Sequence, residues 1–448
     1  MRVSVKSTLF GCLALAMLAP PLRLAGIGLF DLCIYGVLAL CLLHGLQTRG
    51  FSVSRLGRVE VLLIVVLCAT MVTYLVRLSD WNEQIAFLQN RGFDTNFLFV
   101  RLSLYGLLTL LLIAGTFHLT AQRLNSTRDI RRAVAVIVVC GTLNATITLV
   151  AWLVHTGGVF DRYNFLPPLE QSQGIHLDRM ALTFLLAFAA WTSGAATRHQ
   201  RMALLTCMAL TGLSIATVEV RLGWVTFALS LILYMAFSWK TLERKYRRSA
   251  FWMLVFLASG GAWLILTQAN GGATTYQQIL TPSEQSDTEG DVAMRVTLAL
   301  QGLSVFREHF IFGIGYGHYA AYSSAPIVVG GQLEFVTSPH NGLIDLAAET
   351  GSFGLACVVW LCVSLLHICR RARRLAGDPA AKAFANAVLS LALIALPIQL
   401  IANSQILPVA TERGVVQSSF VFWFLLALAA GSINPKGESP GVLADVEY

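Results

Sequence analysis

Residues 337–354 read TSPHNGLIDLAAETGSFG and place a histidine, His340, directly ahead of a helix-forming segment with an embedded carboxylate, Glu349. Imidazole, with an ordinary pKa of about 6.5, is the side chain best suited to take a proton at neutral pH. Pro339 holds Ser338 in extended backbone, so the histidine stands beside the start of the helix that follows. A helix N-terminus favours the neutral imidazole, which is the form a base needs. Asn341 is of the type that caps such a helix. Glu349 is spaced either to anchor an arginine or to orient His340. The complementary chemistry comes from arginines. Arg221 sits at the apex of an apolar hairpin with Glu219 as its near charge, an expensive setting that reads as functional. Arg295, between Met294 and Val296, lies in a segment of helical apolar period, and Arg307 follows in FREHF. A guanidinium binds phosphate oxygens two at a time and stays charged beside lipid. The bland alternatives are a structural histidine and arginines that reach headgroups or pair with Glu219. Taken together, one base and two or three fixed cations are equipment for acid–base chemistry on an anionic ligand.

The elements that position these residues are membrane-buried. The chain has 448 residues, 56% hydrophobic and 12% charged, with mean hydropathy +0.67. That is more apolar surface than a soluble core requires. About twelve apolar runs are long enough to cross or nearly cross a hydrocarbon layer. They fall near 7–22, 27–46, 59–76, 97–119, 133–154, 180–196, 203–219, 223–239, 251–269, 350–368, 385–404 and 415–433. The first, preceded by Arg2 and Lys6, reads as an uncleaved helix and not as a signal peptide. With a cytoplasmic N-terminus and strict alternation, most of the 32 lysines and arginines fall in cytoplasmic segments, notably Lys240–Arg248 and Arg370–Arg374. The external side then carries arginines and no lysine, among them Arg162 and Arg179 in a loop at 155–179. The +8 charge is accounted for by membrane orientation, so no nucleic-acid partner is implied.

The chain therefore predicts an all-α polytopic membrane protein with one large structured external loop. Residues 1–269 carry transmembrane helices one to nine, 270–349 form the loop, 350–434 carry helices ten to twelve, and 435–448 form a cytoplasmic tail. Within the loop, Val292, Val296, Ala299, Leu300, Leu303 and Phe306 recur at helical steps, which predicts a surface helix along the membrane. FGIGYGHY then reads as a glycine-punctuated turn in which Gly313, Gly315 and Gly317 shape the backbone. The nine cysteines sit in spans or at their cytoplasmic ends, so no disulfide framework is expected. His309, His318, His340 and Glu334 lack the spacing of a zinc site, so neither a metal nor another cofactor is expected. A twelve-helix transporter or flippase is the non-enzymatic alternative. Such proteins place charges at mid-membrane, whereas here the polar residues gather externally.

The run R…FREHFIFGIGYGHY…SPHNGLIDLAAETGSFG in a long external loop resembles the bacterial O-antigen ligase and polymerase superfamily. Its usual pattern is an arginine, a Gly-x-Gly-x-Gly turn, then His-Asn before a helix with Glu-x-Gly-x-x-Gly. Arg221, between spans seven and eight, also matches, although Val220 stands where related sequences often have a small hydroxyl residue. The resemblance implies a GT-C-like membrane fold and a glycosyltransferase of the inner membrane with a periplasmic active site. The donor would be a glycan on undecaprenyl pyrophosphate. The acceptor would be lipid A–core for a ligase, a growing repeat for a polymerase, or a protein hydroxyl in a third branch. It also implies a metal-independent, inverting reaction. His340, Arg221 and Arg295 would be its catalytic residues, with Arg307, Asn341 and Glu349 binding substrate. The single dominant external loop favours the ligase.

Overall fold

The structure is a computed structural model that describes residues 5–18, 105–156, 173–216, 221–242, 287–315, 341–401 and 415–433, with short pieces between them. Its helices are α1 (Val5–Leu18), α2 (Tyr105–Arg123), α3 (Thr127–Thr156), α4 (Gln173–Thr192), α5 (Arg198–Ala216), α6 (Arg221–Ser238), α7 (Asp287–Glu308), α8 (Gly342–Leu375), α9 (Pro379–Ile401) and α10 (Val415–Gly431). Each expected span that falls on these residues is helical. The expected spans at 27–46, 59–76 and 251–269 lie almost wholly outside the described residues. Among the described residues, Thr127–Ala151, Gly342–Leu375 and Pro379–Pro397 are helices long and apolar enough to cross a membrane.

Helix starts follow local capping chemistry. The Ser126 hydroxyl accepts the Asp129 amide at 3.1 Å, and the Asp129 carboxylate accepts the Ser126 amide at 3.3 Å. This reciprocal pair is a capping box with aspartate in the acidic position. Asp378 accepts the amides of Ala380 and Ala381, both at 3.1 Å, and Pro379 occupies the first helical position, where its missing N–H costs nothing. α10 is buried nearly all round from Phe420 to Ala429, the pattern of a helix enclosed by others. It packs on α2, while α4 packs against α3, α5, α6 and α9. α3 and α4 approach so closely at Gly141 that a Cβ there would run into the Thr183 side chain.

Polar contacts gather the basic segments at one end of the bundle. Lys6 meets Asp129 at 2.8 Å and Arg131 meets Asp378 at 3.1 Å. Arg373 lies over Phe237 at 4.5 Å and donates to its carbonyl at 3.2 Å. Arg247 lies over Trp239 at 5.9 Å and Arg201 over Tyr246 at 5.5 Å. The helix ends at Arg221 and Gly342 therefore point the other way, because α6 and α8 both finish at this basic end.

The structure departs from the sequence reading in three places. Two short antiparallel hairpins that the sequence reading did not name are present, Arg23–Leu24 (β1) with Ile27–Gly28 (β2) and, within 270–349, Ile327–Val329 (β3) with Gln332–Glu334 (β4). α4 begins at Gln173, which moves Arg179 from a loop into a helix. α8 does not run straight from the loop into its span but breaks at Gly351.

The expected orientation has a direct test. A cysteine at Ser286 should react with a membrane-impermeant maleimide from the outer face of spheroplasts. A cysteine at exposed Gly377, where a Cβ meets nothing within 4 Å, should react only after permeabilisation. The reverse pattern, against a wild-type background, would invert the threading.

Candidate functional site

The site is built on the break in α8. Gly351 has φ 67° and ψ −170°, a region that in practice only glycine occupies. An unbroken helix would bond the Ser352 amide to the Ala348 carbonyl and the Phe353 amide to the Glu349 carbonyl. The break releases all four groups, and buried backbone polar groups must find new partners. The segment 310–315 provides them. Ile314 N–H donates to the Ala348 carbonyl and Gly315 N–H to the Glu349 carbonyl, both at 2.9 Å. The Phe310 carbonyl accepts from Ser352 at 2.8 Å and the Ile311 carbonyl from Phe353 at 3.3 Å. Two backbones this close leave no room for side chains. A Cβ on Gly313 would run into the Glu349 carbonyl, and one on Gly351 into the Ile311 carbonyl. Gly313 (φ 68°) and Gly315 (φ 101°) also need the left-handed region. Gly317, the third glycine of the turn, lies outside the described residues.

This clamp fixes the helical segment that follows His340. Asn341 is its N-cap, and its side chain accepts the amides of Leu343 and Ile344 at 3.2 Å. One turn apart on the same face, Asp345 and Glu349 are each only 1% exposed. Glu349 accepts the Tyr319 amide at 3.3 Å. Burial pushes the Tyr319 hydroxyl above the ordinary tyrosine range, and the charges of Asp345 and Glu349 add to the shift. The phenol therefore stays protonated and donates to the Leu298 carbonyl of α7 at 3.4 Å. Tyr319 thus ties α7 to the acidic face of α8. Asp345 and Tyr319 were not singled out from the sequence. The Asp345–Glu349 spacing was the available signal for the first.

Arg295 lies in α7, three residues before Leu298. Arg307 is exposed in the last turn, half-way round the helix from Leu298. Arg221 is the first residue of α6. His340 lies outside the described residues, one position ahead of the N-cap. The helix expected from the apolar steps through 292–306 is present as α7. Its Val296, Leu300 and Leu303 are 53%, 61% and 46% exposed, and Phe310, Ile311 and Phe312 continue the apolar surface. Beneath it, Phe306 and Phe310 from the α7 end and Leu355, Val359, Trp360 and Val363 from α8 line an apolar groove of about 570 Å³.

Buried apolar helices of this length and an apolar outer surface define a membrane protein. Residues 205–359 match the family model described as O-antigen ligase, and this match supports membership of the O-antigen ligase superfamily. The matched stretch contains Arg221, Arg295, Arg307, His340, Asn341 and Glu349, and with them the whole clamp. No curated protein matches the chain significantly.

Proposed function

We propose that the chain is an O-antigen ligase of the bacterial inner membrane that transfers a glycan from undecaprenyl pyrophosphate to a sugar hydroxyl of lipid A–core at the periplasmic face. The observation that carries this reading is the clamped, capped helix start within the O-antigen ligase match, at the end of the bundle opposite the basic segments. Transfer from a lipid pyrophosphate makes two demands. Negative charge on the departing pyrophosphate must be relieved, and a proton must leave the incoming hydroxyl. Arg221 and Arg295 meet the first demand and His340 the second. Asp345 and Glu349 supply two buried carboxylates on the helix start that follows His340. The groove between Phe306 and Trp360 suits the apolar chain of a lipid donor. Because the donor is already activated, a single displacement suffices and inverts the anomeric centre.

The lipopolysaccharide of a deletion strain tests the assignment. Core without repeats, with lipid-linked polymer accumulating, is the ligase result. Core bearing one repeat would make the chain a polymerase, and unchanged lipopolysaccharide with underglycosylated protein would make it a protein transferase. Unchanged glycans would leave a transporter. The arginines have their own test. Charge-assisted phosphate contacts are worth about 1.5–3 kcal/mol each, so Arg221→Ala and Arg295→Ala should each lower transfer roughly 10–100-fold with normal membrane yield. Lysine should rescue only in part, since it lacks the fork. Full activity in both alanine variants would remove them from the mechanism.

A further inference from the structure

The turn that completes the clamp has an outward apolar face. Phe310, Ile311 and Phe312 are each more than half exposed, three large apolar side chains in succession. The stretch from Phe310 to Gly315, FIFGIG, carries no charge. Such a cluster is a liability in water, so the surface it continues decides what covers it. That surface is α8. Phe312 meets Phe353 at 6.3 Å between ring centroids, and Phe310 shares a groove wall with Val359, Trp360 and Val363. These four α8 residues are about half exposed on a helix long and apolar enough to cross a membrane, so they face hydrocarbon. Depth follows from the same helix. Arg370–Arg374 mark its basic end, and Ser352, the first residue past the break, stands eighteen positions before Arg370, about 27 Å of helix. A hydrocarbon layer is ~30 Å thick. The break and the turn clamped to it therefore lie where hydrocarbon gives way to headgroups. Irregular backbone is tolerated at that depth only when its polar groups are satisfied. The Phe310 and Ile311 carbonyls and the Ile314 and Gly315 amides meet the condition, since all four are bonded to α8.

We propose that residues 310–312 are a membrane anchor, with side chains inserted into the hydrocarbon edge of the leaflet opposite the basic end; this needs the membrane character of the chain and neither its donor nor its acceptor. The partner is the acyl-chain region of the bilayer. Insertion holds the clamp, and with it the helix start capped by Asn341, near the depth of the lipid phosphates. A nitroxide at Ile311 reads that depth in the full-length protein in nanodiscs of phosphatidylethanolamine and phosphatidylglycerol. It is carried on an amber-encoded amino acid, so the nine native cysteines stay in place. Relaxation by oxygen should exceed relaxation by a water-soluble nickel chelate, at a depth about 5–10 Å below the phosphates. A second label at Val363, eleven positions past Ser352 and so about 16 Å further along α8, should read deeper. Dominant relaxation by nickel at Ile311 would place the turn in water. Weak relaxation by both agents would place it against protein, a second copy included. Either result overturns the anchor and leaves the ligase reading intact. Ile311→Asp should lower transfer about tenfold or more, because a carboxylate is expensive in hydrocarbon, and Ile311→Leu should restore most of it. Full transfer by a folded Ile311→Asp protein would also overturn the anchor. Should the aspartate variant fail to fold, the depth readings decide alone.

Discussion

His340→Ala should lower glycan transfer by about 100-fold or more, the usual scale for removing a general base, while donor binding survives. Helix capping by Asn341 does not involve the imidazole, since the cap uses the Asn341 side chain and the amides of Leu343 and Ile344. The variant should therefore fold, and its loss should appear in kcat more than in donor affinity. The pH profile separates a base from a hydrogen-bonding residue. A protonated imidazole cannot accept a proton, so the wild-type rate should fall as pH drops through the ordinary histidine range, about 6.5. In His340→Gln, which keeps a hydrogen-bonding side chain, that acidic limb should vanish along with most of the activity. An unimpaired alanine variant, or a product that retains the anomeric configuration, would defeat the mechanism.

How much of this site could be read from the residues depended on range. The N-cap and the surface helix of α7 are local features. Asn341 ahead of Gly-Leu-Ile and the three- and four-residue apolar steps through 292–306 specify them without knowledge of distant partners. The clamp is not local. Gly351 stands in a run that continues as an apolar span, and nothing nearby says that its helix breaks. The groups released at Ser352 and Phe353 are satisfied by Phe310 and Ile311, about forty residues upstream. Tertiary pairing of that kind leaves no periodicity to detect. Arg179 was misread for the opposite reason. The adjacent charges of Asp178 and Arg179 look like the edge of a loop, yet α4 continues past them because the bundle encloses the arginine. The hairpin β3–β4 had a signal, Gly330-Gly331 between β-branched and apolar residues.

Gly351→Ala and Gly313→Ala should each abolish most transfer without preventing insertion of the spans. At both positions the added Cβ meets main-chain atoms, the Ile311 carbonyl for one and the Glu349 carbonyl for the other. No side chain can rotate away to relieve the contact. Strained backbone at such a position costs about 1–3 kcal/mol, and each backbone hydrogen bond lost from the clamp adds roughly 1 kcal/mol. The sum, about 3 kcal/mol or more, exceeds what a turn docked by four backbone hydrogen bonds can hold against, so the turn should undock before the buried bundle yields. Undocking uncovers Asp345 and Glu349 and frees Tyr319 from the Glu349 carboxylate. Transfer should then fall at least about 100-fold, the equivalent of ~3 kcal/mol, while membrane yield stays close to normal. Limited proteolysis supplies the structural readout, with new cleavage expected between Phe310 and Tyr319. Gly377→Ala is the control, because its Cβ meets nothing within 4 Å. If Gly351→Ala kept both its activity and its protease resistance, the break in α8 would have no part in holding the site.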